Sequence, residues 1–349
     1  MRKKIITVFL IFIFSNLFYL PVFSNQQIQV FFTSPGVKNL HVNDPESRLI
    51  KQIETAQHSF YGSFYEISAQ PVINALIKAK TRGLDVKLVV NDHIFSSDKS
   101  SKKFTAFKGL ITAGIPVITD DRPQLMHNKF AVIDNRFLWT GSYNLTYNCA
   151  RRNNNNAVLI DSSELSSIYL EEFFEMFDNR VFGNKTDDLP FSGVLNLTGR
   201  EKYYVKVGGA DVNAYFAPEN NVEKIIIRHL NKAEKSIRFM AFSFTSNKIA
   251  ETMAAASKRG VNVSGIFEKK GSDGRYSKYR MLKSEGIKVK TDKNKHLLHH
   301  KVIIIDDKTV ITGSYNFSKN ANKNNDENIV IIHDSTIAEL YINEFNRLR

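Results

Sequence analysis

Apolar residues along the chain fall into two alternating patterns. Runs of four to six β-branched or aromatic residues, bounded by polar ones, predict strands; runs with apolar positions three and four apart predict helices. The first strand expected is Ile28–Phe32, then a helix over 46–55. A strand follows within HSFYGSFYEIS (58–68), and a helix over 71–82 with Val72, Ile73, Leu76 and Ile77 on one face and Gly83 as its stop. Strands over 85–90 and 115–118 flank a helix over 103–113. Further on, a strand is expected over 156–160 and a helix over 163–179. The same order then recurs: strand 212–216, helix 221–231, a strand within SIRFMAFSFTS (236–246), helix 247–259 with Gly260 after it, strand 261–267, helix 277–285, strand 287–290, strand 329–332 and helix 336–348. Alternation of this kind, repeated once, predicts an α/β fold: two α/β sandwich halves, each with a mixed sheet, related by a pseudo-twofold axis. The halves are expected over 25–180 and 211–349, with polar, turn-rich 181–210 as linker.

Composition adds the compartment. Arg2, Lys3 and Lys4 precede the apolar stretch Ile5–Phe23, and Val22 and Ser24 are small enough for a cleavage site. Residues 1–24 therefore read as a signal peptide, and a secreted or periplasmic protein is expected; the competing expectation is an uncleaved membrane anchor, since the stretch is just long enough to span a bilayer. A single cysteine, Cys149, excludes an intrachain disulfide and is expected to be a buried, inert thiol. The formal charge of +13 falls to +10 without the three leader bases. A basic exported chain is drawn to polyanions, which leaves a phospholipid membrane surface and nucleic acid as candidate partners.

Two stretches carry the candidate chemistry: HNKFAVIDNRFLWTGSYN, from His127 to Asn144, and HHKVIIIDDKTVITGSYN, from His299 to Asn316. Each has His, one residue, Lys, four residues, Asp, six residues and Gly-Ser-Tyr-Asn. FAVID and VIIID are expected to be buried strands. Residues two apart on a strand share a face, which sets His127 beside Lys129 and His299 beside Lys301. An imidazole next to an ammonium suits an anionic substrate. The serine hydroxyl and asparagine carboxamide that follow are donors for phosphate oxygens. One copy supplies one imidazole; two copies facing each other supply a nucleophile, a general acid and an oxyanion clamp.

The two stretches resemble the paired HKD motifs of the phospholipase D superfamily, and the resemblance covers most of the chain after the leader. It implies one active site at the interface of the halves, a phosphodiester substrate, a covalent phosphohistidine intermediate and no cofactor. The catalytic set it implies is His127, His299, Lys129, Lys301, Asp134, Asp306 and Glu327. The phosphate-binding set is Lys129, Lys301, Asn144, Asn316, Ser142 and Ser314. Within these sets Asp134 and Asp306 lie five residues beyond their lysines, hence on the opposite strand face, and are expected to support structure rather than carry protons. The serines are expected to fix the turn and the nearby ring. The copies differ at one telling place: 28 residues after His299 stands Glu327, and 28 after His127 stands Asn155. If the acid bonds the histidine of its own copy, Glu327 keeps His299 protonated as the general acid and leaves His127 as the nucleophile.

His296, His299 and His300 crowd one region, but with no cysteine nearby and Asp306 a strand away the four donors of a zinc site are not assembled, and no metal is expected. Two substrate classes fit: a phospholipid head-group diester, as in a phospholipase D, or a nucleic-acid backbone, as in a nuclease. Tyr143 and Tyr315 are placed to stack on a base or border a lipid site. A phosphatidyl transferase or a non-catalytic polyanion binder fits less well, and a monomer with an internal pseudo-dimer is the expected assembly.

Overall fold

A computed structural model describes residues 27–36, 44–93, 102–183 and 203–349; the expected signal peptide lies outside them. In the first half the strands are β1 Ile28–Phe32, β2 Ser59–Phe64, β3 Asp85–Val90, β4 Val117–Thr119, β5 Lys129–Ile133, β6 Phe137–Gly141 and β7 Asn156–Asp161. Its helices are α1 Pro45–Thr55, α2 Gln70–Thr81, α3 Lys102–Thr112, α4 Tyr147–Arg151 and α5 Ser163–Phe177. The second half contains β8 Tyr204–Val207, β9 Ala210–Ala217, β10 Ser236–Ala241, β11 Asn262–Phe267, β12 Lys288–Thr291, β13 Lys301–Ile305, β14 Thr309–Gly313 and β15 Glu327–His333. Its helices are α6 Val222–Asn231, α7 Asn247–Lys258, α8 Lys269–Ser272, α9 Tyr279–Ser284, α10 Lys319–Lys323 and α11 Ser335–Leu348.

The first sheet has the order β1-β7-β6-β5-β2-β3-β4 and the second β12-β11-β10-β13-β14-β15-β9-β8. In each, three parallel strands joined through helices continue into an antiparallel meander. Both sheets are thus mixed, as the alternation implies. The hairpins β5–β6 and β13–β14 turn at Asp134-Asn135 and Asp306-Asp307, all four at positive φ, a region that Asn and Asp tolerate better than most residues. Strand β8 corrects the expected linker: residues 204–207 pair with β9, so the second sheet begins before residue 211.

Three apolar cores stack through the molecule. One lies under α1, α2 and α3 on the outer face of the first sheet, and one under α6, α7 and α9 on the outer face of the second. The third is shared by both sheets, and α5 and α11 both bury apolar faces in it, through Leu165, Tyr169 and Phe173 and through Ile337, Tyr341 and Phe345. The halves therefore bury one continuous core rather than touching as separate lobes. A buried polar layer crosses it in near-symmetric fashion. Thr140 donates to Asn328 Oδ1 at 2.7 Å, and Thr312 donates to Asn156 Oδ1 at 2.8 Å. Paired polar groups of this kind fix the register of the two sheets, because a slip would leave each of them buried and unsatisfied.

The aspartates of the two motifs serve the fold. Asp134 accepts hydrogen bonds from the backbone N–H groups of Gln57, His58 and Ser59 at 2.7–3.0 Å, and Asp306 from those of Glu234, Lys235 and Ser236 at 2.7–3.2 Å. Each ties the start of its sheet's central strand to a hairpin turn at the end of the motif strand remote from the histidine. Partial burial alone would raise their pKa, but the three N–H donors outweigh it and hold both carboxyls below their usual range. Stability from a depressed carboxyl is present at neutral pH and lost as pH falls through the folded pKa. Asp134→Ala is expected to cost about 1–2 kcal/mol, since three backbone donors lose one acceptor, two of them exposed and able to turn to water. Urea unfolding at pH 7 measures that cost, and the gap to wild type should narrow in acid.

Candidate active site

Both motif histidines stand just before their strands, His127 before β5 and His299 before β13, each only 7% exposed. Their positions are set by the opposite half. His127 N donates to Asp326 O at 2.9 Å, and His299 N donates to Asn154 O at 2.8 Å. Each histidine stands two residues before its strand and is pinned by the chain segment that leads into the other half's final meander strand.

This crossing overturns the expected pairing of Glu327. Its carboxylate lies against His127, with Oε2 2.7 Å from Nδ1, while Asn155 Oδ1 lies 2.8 Å from Nδ1 of His299. The residue 28 positions after each histidine lies at the start of a strand that faces the other half across the pseudo-twofold axis, Glu327 opening β15 and Asn155 just preceding β7, so it meets the partner copy's ring and not its own. Sequence spacing shows that the acid is there but not which ring it reaches.

Nδ1 of His299 faces two acceptors, Asn155 Oδ1 and the carbonyl of Ser142 at 3.0 Å. Asn155 presents its oxygen there because its amide nitrogen donates to the carbonyls of Cys149 and Asn153. Both imidazoles are therefore held as Nδ1–H donors. On each ring Nε2 is the nitrogen left without a protein partner among the described residues. Tyr65 meets the His127 ring edge to face at 4.9 Å and Phe242 lies against His299 at 4.8 Å; both lie just beyond the ends of β2 and β10. The repeat of HSFYGSFYEIS and SIRFMAFSFTS contained that signal, but the sequence reading placed no ring-wall residue there.

Lys129 and Lys301 lie buried beside the rings. Each Nζ donates to the carbonyl of its own motif histidine, at 2.7 and 3.0 Å, and sits over an aromatic wall, Tyr65 or Phe242. Burial pushes the Lys129 ammonium down to about 7 and lowers Lys301 strongly, with Lys129 adding to the effect on Lys301. Burial, followed by the two lysines, also lowers both histidines well below the usual range. Burial raises Glu327 to about 8 against the pull of Lys129; Ser314 Oγ and Asn325 Nδ2 donate to its two oxygens. This cavity is short of negative charge. An anion bound there restores favourable pKa values to its bases, so binding of inorganic phosphate is expected to take up protons at pH 7–8 and to weaken as pH rises. Calorimetry in buffers of different ionisation enthalpy measures the uptake.

Both hydrogen-bonding roles of the Ser142 and Ser314 hydroxyls are engaged within the protein. Ser142 Oγ donates to Asn155 Oδ1 and accepts from Asn156 N, and Ser314 Oγ donates to Glu327 and accepts from Asn328 N. Each serine braces the side chain that orients the opposite histidine. Asn144 and Asn316 each leave a buried Oδ1, an acceptor, without a hydrogen-bond partner, so the protein does not hold either carboxamide through its oxygen. Tyr143 and Tyr315, expected to border substrate, are instead about 1% exposed and packed in the two outer cores. A strand alternates faces, and the turn after β6 and β14 sends the tyrosine outward from the site. Cys149 is buried. His300 is drawn into the shared core, between Asn156 and Glu344. Among the described residues no group of three or more potential metal ligands is gathered.

The motif glycines explain themselves at the crossing. Gly141 and Gly313 have φ of 140° and 151°. A Cβ on Gly141 would stand 2.5 Å from the carbonyl oxygen of Asn156, the same oxygen that accepts from Ser142 N at 3.0 Å. Gly313 meets Asn328 in the same way. Either Gly→Ala variant is expected to lose about 1–3 kcal/mol of stability by forcing a strained backbone and parting two strands. Thermal unfolding measures it, and both variants should lose it comparably.

Two imidazoles, two buried ammonium groups and two uncommitted carboxamides converge from homologous halves on one cavity, which defines a tandem phosphodiesterase. The family model described as "Cardiolipin synthase, PLD-like domain" matches residues 49–177 and 226–349, one copy in each half. The chain belongs to the phospholipase D superfamily. It is 38% identical over 181 residues to a phospholipase D of Rickettsia typhi, a match covering 52% of this chain and 85% of that one. Over 123 residues it is 32% identical to the mouse mitochondrial cardiolipin hydrolase, covering 35% and 56%. Phosphatidylserine synthase of Haemophilus influenzae shares the fold, with a TM-score of 0.68 at 14% identity over 92% of this chain and 86% of that one.

Proposed function

We propose that the protein hydrolyses a phospholipid head-group phosphodiester in the manner of a phospholipase D, with His127 as nucleophile and His299 as general acid. The observation that carries the assignment is the Glu327 carboxylate on Nδ1 of His127, with only neutral oxygens on Nδ1 of His299. A carboxylate accepting the Nδ1 proton leaves the Nε2 lone pair of His127 free and stabilises the positive ring that forms when Nε2 attacks phosphorus. The N–P bond forms as the P–O bond to the leaving alcohol breaks, and that oxygen takes the Nε2 proton of His299. Water then attacks the phosphohistidine and returns a proton to His299, and the N–P bond breaks. Lys129, Lys301, Asn144 and Asn316 hold the non-bridging oxygens through both steps. The assignment agrees with the sequence expectation although the reason has changed: the carboxylate serves the nucleophile and not the acid.

The lipid substrate is supported by the Rickettsia relative described as a phospholipase D. A second reading, a nuclease acting by the same steps, is supported by a strongly cationic cleft beside His299. A paired assay in chelator separates them: phosphatidylcholine vesicles and single-stranded DNA, each with wild type and His299→Asn. Choline release by wild type alone supports the lipid reading, and DNA cleavage by wild type alone the nuclease. The lysines already supply the positive charge that a divalent cation would bring, so turnover is expected to persist in chelator. Loss in chelator that added metal restores would overturn the mechanism. Export and a membrane or extracellular site of action belong to the same proposal.

A further inference from the structure

A cleft of about 860 Å³ opens beside His299, between the segment following the first motif, the loop leading into the second and the end of α11. Its bases are Arg151, Arg152, Lys293, Lys295, Arg347 and Arg349, and no carboxylate side chain lines it. Two of the six are committed: Arg151 holds Glu46 at 2.5 Å and Arg347 holds Glu344 at 2.7 Å. Arg152, Lys293 and Lys295 are exposed, with no carboxylate partner among the described residues. Tyr147 stands at the rim, 61% exposed, with the Arg152 guanidinium 5.2 Å from its ring centre. The cleft is joined to the reacting centre through its own lining. Asn154 pairs with Leu298, its carbonyl holds His299 N, and the next residue, Asn155, holds the His299 ring.

The pseudo-twofold axis provides an internal control, since the lining positions from Tyr147 onward have counterparts 172 residues away on the His127 side. Those counterparts include three bases, Arg122, Lys319 and Lys323, and three acids, Asp121, Glu175 and Asp326. Arg122 and Asp326 form an ion pair there, and Gly183 N donates to Asp326 at 2.6 Å. One mouth of the seam is thus charge-balanced and clasped, while the other is open and cationic. Two halves with a common architecture would need no such difference to position the scissile phosphate alone.

We propose that this cleft is the leaving-group side of the active site and holds the backbone phosphates of a single-stranded polynucleotide, so that the strand lies across the site in one polarity. The proposal rests on the nuclease reading and on His299 as the group that protonates the leaving oxygen. A leaving alcohol that carries a further phosphate explains why the bases gather beside His299 and not beside His127. A walled cleft with an exposed tyrosine suits a strand whose phosphates track bases and whose nucleobases stack. A bilayer would call for an apolar rim, yet the only exposed large hydrophobic among the cleft-lining residues is Tyr147.

The test uses the full chain and the triple variant Arg152→Gln, Lys293→Gln, Lys295→Gln, none of which touches the reacting centre. On a short oligothymidylate its kcat/KM should fall by about ten-fold or more, while turnover of bis(p-nitrophenyl) phosphate, whose leaving group carries no further phosphate, should stay within about two-fold. Equal loss on both substrates, or none on either, would overturn the proposal. Binding read in the His127→Asn background needs no turnover: the slope of log K against log salt for oligothymidylate should be shallower by about 2 in the triple variant, at about 0.7 per neutralised phosphate. An unchanged slope counts against the cleft even if the enzyme is active. Lys319→Gln with Lys323→Gln, on the other mouth, should leave both readouts unchanged, and a matching loss there would remove the one-sided polarity. Wild type that hydrolyses cardiolipin vesicles but not oligothymidylate, with the triple variant losing the vesicle activity, would make the occupant a lipid phosphate and overturn the nucleic-acid assignment. Failure of wild type on bis(p-nitrophenyl) phosphate would instead strike the phosphodiesterase reading itself, leaving the binding slope to judge the cleft.

Discussion

His127→Asn should abolish turnover, with a loss of about 10⁴-fold or more, and should never accumulate a covalent intermediate, because the remaining ring, His299, lacks the carboxylate that stabilises a phosphorylated imidazole. His299→Asn should behave differently. With a natural alcohol leaving group it too should be nearly inactive, since nothing protonates the departing oxygen. With a p-nitrophenyl leaving group, which departs without a proton, it should still form the phosphohistidine and then stall, because the water-activating base is missing. Acid-labile, base-stable label on His127, found by peptide mapping of the His299→Asn protein, is the expected outcome. Label on His299 in a His127 variant would reverse the roles and with them the meaning of the Glu327 contact. Both rings are about equally buried and both sit beside the same two lysines, so burial and local charge do not tell them apart. Only the groups on Nδ1 differ.

That difference predicts the second large effect. Glu327→Gln keeps the shape of the side chain and removes the group that can ionise as the His127 ring becomes positive, so the phosphorylated ring loses its stabilising carboxylate. A kcat lower by about 10²–10⁴-fold is expected, with little change in KM, because the substrate is held by the lysines and asparagines. The reciprocal change, Asn155→Asp, adds a carboxylate 2.8 Å from Nδ1 of His299 in the geometry of the native oxygen. An anion that close favours the protonated ring, so the His299 pKa should rise by about 1 or more. Titrating the imidazole signals by NMR reads this directly, and a His299 pKa that is unmoved or lowered would show that Asn155 does not set the acid's protonation. The two substitutions act on opposite rings, so a Glu327→Gln effect that appears on His299 would contradict the crossed arrangement.

Much of the architecture was legible before any coordinates. The recurrence of His-x-Lys and Gly-Ser-Tyr-Asn at fixed spacing, and the repeated order of apolar runs, determine two homologous α/β halves and one shared site, because neither half holds both imidazoles. Period-two alternation also placed Asp134 and Asp306 away from the histidines, where they now cap the starts of β2 and β10. Strands β6 and β14 leave a weak sequence signal, since each is five residues long and ends on the motif glycine. Strand β8 was hidden in a polar stretch, because an edge strand buries only alternate residues and leaves little apolar signal.

What the chain by itself determined was which groups take part: two histidines, two lysines, two asparagines and one acid without a counterpart. What only the tertiary structure decided was how they are wired. Sequence distance is blind to a pseudo-twofold axis, and across that axis Glu327 serves His127, Asn155 serves His299, and each Gly-Ser turn braces the other half's ring. The same folding drew Tyr143 and Tyr315 inward to the outer cores and gathered the scattered bases Arg152, Lys293 and Lys295 on one side of the seam. Contacts between residues more than a hundred positions apart depend on how two sheets share a core, and that packing is a property of the whole chain rather than of any segment in it.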